Sequence, residues 1–100
     1  MIVFNITNKV RWDILEVWLA WQLEEHIPHT LATGLFDSYQ LYRLLEQDEE
    51  DGPTFVLQFL TTSSERYQQF MAEHAHRLQK TAKEKWGDRS VSFETAMESL

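Results

Sequence analysis

Three patterns in the sequence predict an α+β fold, in which a four-stranded antiparallel sheet carries two helices on one face. Residues 2–10 and 90–97 alternate between apolar and polar side chains, which is typical of half-buried strands. Residues 12–26 and 62–86 repeat apolar side chains at helical spacing. Between the two helices, two strand-like segments flank an acidic turn.

Composition limits the class of protein. The chain has 100 residues, of which 43% are hydrophobic, so residues 1–100 are expected to form a single domain with its own core. The net charge of −7 argues against nucleic acid, which proteins grip by neutralising phosphates with Lys and Arg. No apolar run is long enough to cross a membrane, and the start lacks the basic region of a signal peptide. Because cysteine is also absent, we expect a cytoplasmic protein without disulfides.

The first helix has an unusually wide apolar side. Asp13 and Glu16 are spaced like a capping box at its start. Pro28 is expected to end the helix, because proline disfavours helical geometry in the residue before it, and Gly34 marks a turn. A helix with so broad an apolar arc is expected to be deeply set. The arc contains Ile14, Leu15, Trp18, Leu19 and Trp21.

The strands before and after this helix have clear patterns. One side of the first strand carries Ile2, Phe4, Ile6 and Val10. Residues 36–47 and 54–61 form the predicted hairpin, and the sequence DEEDGP between them forms its turn. Four acidic residues keep this turn in water, and Gly52 and Pro53 favour the bend.

The second helix is predicted from a capping box at residues 62–65, with Thr62 as N-cap, to Trp86. His74 lies in the middle of its apolar stripe, and Gly87 is a typical residue after a helix end. The last strand places three apolar side chains on one side: Val91, Phe93 and Met97. The order β-α-β-β-α-β is the ferredoxin-like arrangement.

Several short motifs resemble a family of short bacterial proteins of unknown function. The motifs are M-I-V-F-N-I-T at the start, W-L-x-W followed by H-I-P, A-T-G-x-F, and E-H-A followed by a leucine. That family is placed in the dimeric α/β-barrel superfamily, so the resemblance implies a ferredoxin-like protomer that dimerises through its sheet. The superfamily includes small monooxygenases, isomerases, mutarotases and haem enzymes, and also members without known chemistry. The resemblance therefore fixes no function.

Two histidines are candidates for a functional site. His26, at the end of the first helix, is either an acid–base group or a partly buried side chain bonded to a carbonyl of the last turn. His74 either has a structural hydrogen-bond partner or lines a polar pocket, because a buried imidazole must be hydrogen-bonded. The sequence favours the structural role for both.

The sequence predicts no metal, no cofactor and no recognisable catalytic motif. A metal site needs three or four converging ligands, and the spacing of His26, His29, His74 and His76 does not bring them together. The chain has no Ser-His-Asp arrangement, glycine-rich phosphate loop or paired carboxylates that spacing reveals. Whether the protein is an enzyme stays open at this stage.

Two classes of function remain. The protein is either a small-molecule binder or enzyme of the dimeric-barrel type, or an interaction or structural module without a ligand. In the first class the pocket would lie between helices and sheet, with Trp18, His26 and His74 on its wall and Tyr39 or Arg43 near its mouth. A cavity of roughly a few hundred Å³ with polar atoms favours that class, and a closed core favours the other. A homodimeric small-molecule-binding domain with no assignable reaction is our preferred interpretation.

The expected dimer follows from the uncovered face of the sheet. Two helices can cover only one face of four strands, and the other face is too apolar for water. A second copy of the chain is the simplest cover. Candidates for that face are Val3 on the first strand, the Tyr39/Leu41 or Tyr42/Leu44 set on the second, and the Val56/Leu60 or Phe55/Leu57/Phe59 set on the third.

Overall fold

The computed structural model describes all residues from 1 to 100. Its strands are β1 (Ile2–Val10), β2 (Ser38–Arg43), β3 (Thr54–Thr61) and β4 (Ser90–Glu98), and its helices are α1 (Leu15–Trp21), α2 (Ile27–Leu31), α3 (Ser64–Glu73) and α4 (Ala75–Trp86). The sheet has the order β2-β3-β1-β4, and every neighbouring pair is antiparallel. This is the ferredoxin-like arrangement, so the predicted fold class is confirmed.

The helices pack on the sheet face that carries Phe4 of β1. Phe4 pairs with Phe59 of β3, and paired residues in an antiparallel ladder share a face. Two apolar clusters fill the space beneath the helices: one contains Phe4, Phe36, Phe59 and Phe70, and the other contains Val10, Trp18, Trp21, Phe55 and Trp86. The strand face predicted for β1 is therefore confirmed as the core face.

The predicted end of the first helix at Pro28 is wrong. The chain stays helical to Leu31, because residues Gln22–His26 form one turn of π-helix between α1 and α2. In that turn the backbone N–H of Ile27 donates to the carbonyl of Gln22, five residues earlier. The wider turn relieves the clash that a proline ring makes with the preceding turn of a helix. The expected capping box is also absent, since no side chain caps the start of α1.

The second helix is divided. Its N-cap is Ser63 rather than Thr62, and the Ser63 hydroxyl accepts a hydrogen bond from the backbone N–H of Arg66. The helix then breaks at His74, whose φ and ψ are −127° and −34°. The break separates α3 from α4 and turns His74 into a connecting residue instead of the centre of one long stripe. Gly87 follows α4 as predicted, with a φ of +59°.

The connection between the two strands of the hairpin is longer than its sequence suggests. Strand β2 ends at Arg43, four residues before the predicted end, and Glu46 takes a positive φ of 59° as the chain turns. At the other side of the turn, Gly52 passes against the end of β1. A Cβ on Gly52 would lie 1.7 Å from the carbonyl oxygen of Val10, so only glycine fits there.

Strand β4 turns its apolar side away from the helices. Val91, Phe93 and Met97 pair with Lys9, Thr7 and Val3, whereas Glu94 pairs with Ile6 on the helix side. We call the surface opposite the helices the open face. Its members are Val3, Asn5, Thr7 and Lys9 of β1, Ser38, Gln40 and Tyr42 of β2, Val56, Gln58 and Leu60 of β3, and Val91, Phe93, Thr95 and Met97 of β4.

The register thus chooses between the alternatives that the sequence left open. Tyr42 lies on the open face, whereas Tyr39 and Leu41 lie on the helix side. On β3, Val56 and Leu60 lie on the open face. Every helix of the chain is too short or too polar to cross a lipid bilayer.

Candidate functional site

A cavity of about 510 Å³ lies between the helices and the sheet. Its floor includes Phe4 and Phe59, and its walls include Trp18 and Trp86, so it connects the two apolar clusters. Strand β4 forms one side of it through residues 90–94. Because β4 is an edge strand and its helix-side residues are only partly covered, the cavity reaches solvent along this strand.

The π-helical turn supplies the polar group at the inner wall. Gln22 and His26 stand four residues apart at its two ends, and both line the cavity. His26 Nδ1 and Gln22 Oε1 are 2.7 Å apart, within hydrogen-bond distance. The backbone carbonyl of His26 accepts a further bond from the Thr30 hydroxyl at 2.9 Å. π-Helical turns are frequently found at functional sites.

The imidazole of His26 is uncharged at neutral pH. Burial of the ring and, to a smaller extent, the charge of His29 lower the pKa of His26 to about 4. With the Gln22 amide oxygen as acceptor, the proton of the neutral ring sits on Nδ1 and leaves a lone pair on Nε2. No group of the chain donates to that nitrogen, so the cavity wall presents an unused hydrogen-bond acceptor.

Trp86 also lines this cavity. Its side chain is buried, with 5% exposure, and its indole ring meets the ring of Trp21 edge-on at a centroid distance of 5.8 Å. The indole N–H is buried and has no partner in the chain. A buried tryptophan N–H usually finds an acceptor, so the hydrogen bonding of this part of the wall is incomplete in the chain alone.

Glu94 is the acidic group of the cavity. It points from β4 toward α4, where the side-chain amide of Gln79 donates a hydrogen bond to its carboxylate. Partial burial raises the pKa of Glu94, although the bond from Gln79 works in the opposite direction. Burial thus disfavours the charged form of this carboxyl group, as it does for the imidazole of His26.

The structure brings together two of the five residues that the sequence nominated for a pocket. Trp18 and His26 both line the cavity. His74 lies at the junction of α3 and α4, where its Nδ1 is 3.0 Å from the Arg77 guanidinium. Tyr39 and Arg43 lie on the helix side of the distant edge strand β2, and Arg43 forms an ion pair with Glu49. None of these three is among the residues that line the cavity.

Sequence reasoning missed Gln22, Trp86 and Glu94. The spacing of Gln22 four residues before His26 was a usable signal, since such residues face each other on a helix. Trp86 and Glu94 gave no local signal. Their part in the cavity depends on how α4 and β4 are placed across from the first helix.

The arrangement is suited to hold an uncharged molecule. Aromatic and aliphatic residues make up just over half of the lining, an acceptor stands at His26 Nε2, and the indole N–H of Trp86 is buried without a partner. No three His, Asp or Glu side chains converge closely enough to bind a metal ion.

Solved structures share this fold at low sequence identity. A protein of the ethyl tert-butyl ether d (EthD) family from Bacillus halodurans C-125 superposes with a TM-score of 0.69 and 14% identity over 100% of both chains. A Deinococcus radiodurans protein, provisionally assigned as an antibiotic biosynthesis monooxygenase, gives a TM-score of 0.62 and 16% identity over 100% of this chain and 93% of that one. The de novo designed protein Foldit4 gives a TM-score of 0.51 and 14% identity over 99% and 98% of the two chains. These likenesses establish the fold alone.

Comparison of sequences identifies the family of the chain. No curated protein matches the chain. The family model for the domain of unknown function DUF4286 matches residues 1–100. The protein therefore belongs to the DUF4286 family.

Proposed function

We propose that residues 1–100 form one domain that binds a small, largely apolar molecule in the cavity between helices and sheet, as a homodimer. The observation that carries the ligand is the approximately 510 Å³ cavity itself, whose wall holds the neutral imidazole of His26 with an unused acceptor at Nε2. A cavity of this size accommodates a typical small-molecule ligand. The alternative function, an interaction or structural module without a ligand, is expected to have a closed core. The cavity argues against that alternative.

The chemistry of the wall selects an uncharged ligand with one acceptor and one donor. The acceptor would take the Trp86 N–H, and the donor would bond His26 Nε2. A permanently charged group is disfavoured, because burying a charge without a counter-ion is costly. The wall offers a cation only the half-buried Glu94, and its buried part offers an anion no positive charge. The exposed Lys83 at the rim stays in solvent.

Native mass spectrometry of the protein purified from its own host tests the ligand. We expect a bound mass that is lost on denaturation. Ala82 lines the cavity, so Ala82→Phe should fill it and abolish the bound mass. Thr81→Phe, one residue earlier on the exposed side of α4, is the matched control and should keep it. Equal occupancy in both variants would place the bound molecule elsewhere and refute the proposed cavity site.

The homodimer is supported by the open face. On β4 the apolar residues point to that face, and Phe93 is 60% exposed there. An edge strand that turns phenylalanine and methionine away from its own core favours a covering partner. Since two-fold pairing is the commonest assembly of identical chains, a second copy is the proposed cover.

Sedimentation at micromolar concentration tests the dimer. We expect about twice the chain mass of 11.9 kDa, and dilution should unfold the protein as it dissociates. A folded monomer at that concentration would refute the dimer while leaving the ligand site standing. The cytoplasmic location expected from the sequence stays a prediction, and no reaction is assigned.

A further inference from the structure

A row of polar side chains crosses the open face from one edge of the sheet to the other. Gln40 pairs with Gln58, Gln58 pairs with Asn5, and Asn5 pairs with Thr95. The row therefore takes one residue from each of the four strands, in perfect register. We call these four residues the polar row.

The rows on both sides of it are largely apolar. One neighbouring row contains Tyr42, Val56 and Phe93 together with Thr7, and the other contains Leu60, Val3 and Met97 together with Ser38. A water-facing sheet face would be polar throughout, and a face that packs against a core would be apolar throughout. A face whose central row is polar, with three amides and one hydroxyl, between two largely apolar rows fits neither case.

The middle of the polar row is already shielded from water in a single chain. Asn5 is 5% exposed, and its side-chain N–H donates to the Thr95 hydroxyl at 3.3 Å. The oxygen of the same amide is buried and has no hydrogen-bond partner. A buried orphan of this kind shows that the hydrogen bonding of the polar row is incomplete in the single chain.

The chemistry of the row favours a second copy of the chain as the partner. A primary amide both donates and accepts, so a row of amides is complementary to itself, which an interface between identical surfaces requires. A lipid surface would not tolerate the amides, and the net charge of −7 opposes anionic headgroups.

We infer that the polar row meets the polar row of a second copy and thereby fixes how the two sheets align. The inference rests on the proposed homodimer and names the contact that specifies it. Apolar rows alone would allow the sheets to slide past each other, because hydrophobic contact has no direction. Amides buried against apolar side chains lose their hydrogen bonds, so every alignment but the one that joins the rows is penalised.

The geometry of a face-to-face dimer makes Gln58 the residue that tests this inference. The two-fold axis runs between the sheets, and β3 and β1 are the central strands. If the polar rows meet, the two copies of Gln58 lie within about one strand spacing, ~5 Å, in the plane of the interface. Met97 lies on the edge strand, outside the polar row. Whether the two-fold axis runs along the row or along the strands, the two copies of Met97 are about 13 Å apart or more.

Two chains that carry opposite charges at residue 58 should therefore pair with each other in preference to pairing with themselves. Gln58→Glu and Gln58→Lys alone should each raise the dimer dissociation constant at least about 100-fold, because like charges meet in the interface. An equimolar mixture, with one variant labelled with ¹⁵N, should give a heterodimer in native mass spectrometry. Met97→Glu and Met97→Lys form the matched control pair. Their mixture should form dimers no more tightly than either variant does alone.

The outcomes separate this inference from the proposed dimer. If a variant unfolds on its own, formation of the heterodimer on mixing still reports the contact. If the wild-type chain sediments as a monomer, both the proposed dimer and this inference are refuted. A dimeric wild type whose Gln58 variants dimerise equally well would overturn the inference alone, and so would equal selection by the residue 58 and residue 97 pairs.

Discussion

The imidazole of His26 lies almost parallel to the indole of Trp21, with 5.3 Å between ring centroids and 7° between planes. The ring is thus held on one side by an aromatic face and at one nitrogen by Gln22. Its orientation depends on the π-helical turn that carries both Gln22 and His26. Fold and site are coupled at this point, because the turn that accommodates Pro28 also positions the histidine.

Stability should fall as the solution is acidified through the titration range of His26. The pKa of His26 is lowered from 6.5 to about 4 in the folded protein, so between these values the unfolded chain binds more protons. The stabilising effect of the neutral ring is therefore complete above about pH 6.5 and is lost as the pH falls toward 4. The expected loss is about 3 kcal/mol in the free energy of unfolding.

Urea unfolding at a series of pH values checks this expectation. His26→Gln is the control, because glutamine does not titrate. A plot of its free energy of unfolding against pH should lack the loss that is assigned to His26. The raised pKa of Glu94 acts with the opposite sign, since protonation of a buried acid favours the folded state as the pH falls. This effect is common to both proteins, so a His26→Gln curve parallel to that of the wild type would contradict the neutral, buried histidine.

His26→Gln should also reduce occupancy of the cavity. Glutamine can still bond Gln22, so the far-ultraviolet circular dichroism spectrum should not change. The acceptor at Nε2 disappears, and the bound mass in native mass spectrometry should decrease. Retention of the full bound mass would show that the ligand does not contact this nitrogen.

Trp18→Ala should destabilise the protein by about 3–5 kcal/mol, because it removes a large ring from the core. Trp18 is 1% exposed and stacks on Phe55 at a centroid distance of 5.3 Å. Val17→Ala is the neighbouring control, since Val17 is 59% exposed and should change stability by no more than about 0.5 kcal/mol. Thermal unfolding measures both. Equal melting temperatures for the two variants would contradict the burial of Trp18.

Gly52→Ala should cost about 3 kcal/mol or more, because the new Cβ would collide with the backbone of β1. The nearest atom is the carbonyl oxygen of Val10, only 1.7 Å away, and backbone cannot move aside like a flexible side chain. Gly34→Ala is the matched control, since Gly34 also has a positive φ, 75°, but open space around it. That variant should lose only about 1–2 kcal/mol from backbone strain. Comparable losses in the two variants would show that the turn can move away from β1.

The sequence predicted the elements well wherever neighbouring residues decide them. The bounds of β1 and β3 and the glycine after α4 follow from alternation and from helix-end preferences, both of which are local. Pro28 misled the prediction, because the cost of proline in a helix depends on the turn before it. A π-helical turn cannot be read from side-chain spacing that assumes 3.6 residues per turn.

What the sequence by itself determined is that β4 has an apolar and a polar side, and that Trp18 and His26 share a face of the first helix. Which side of β4 meets the helices was decided by its pairing with β1, since alternation defines two faces but does not orient them. That pairing sends Phe93 to the open face and Glu94 into the cavity. Trp86 and Glu94 join His26 only through packing of segments far apart in the chain. The composition of the site therefore depends on tertiary contacts that no local pattern encodes.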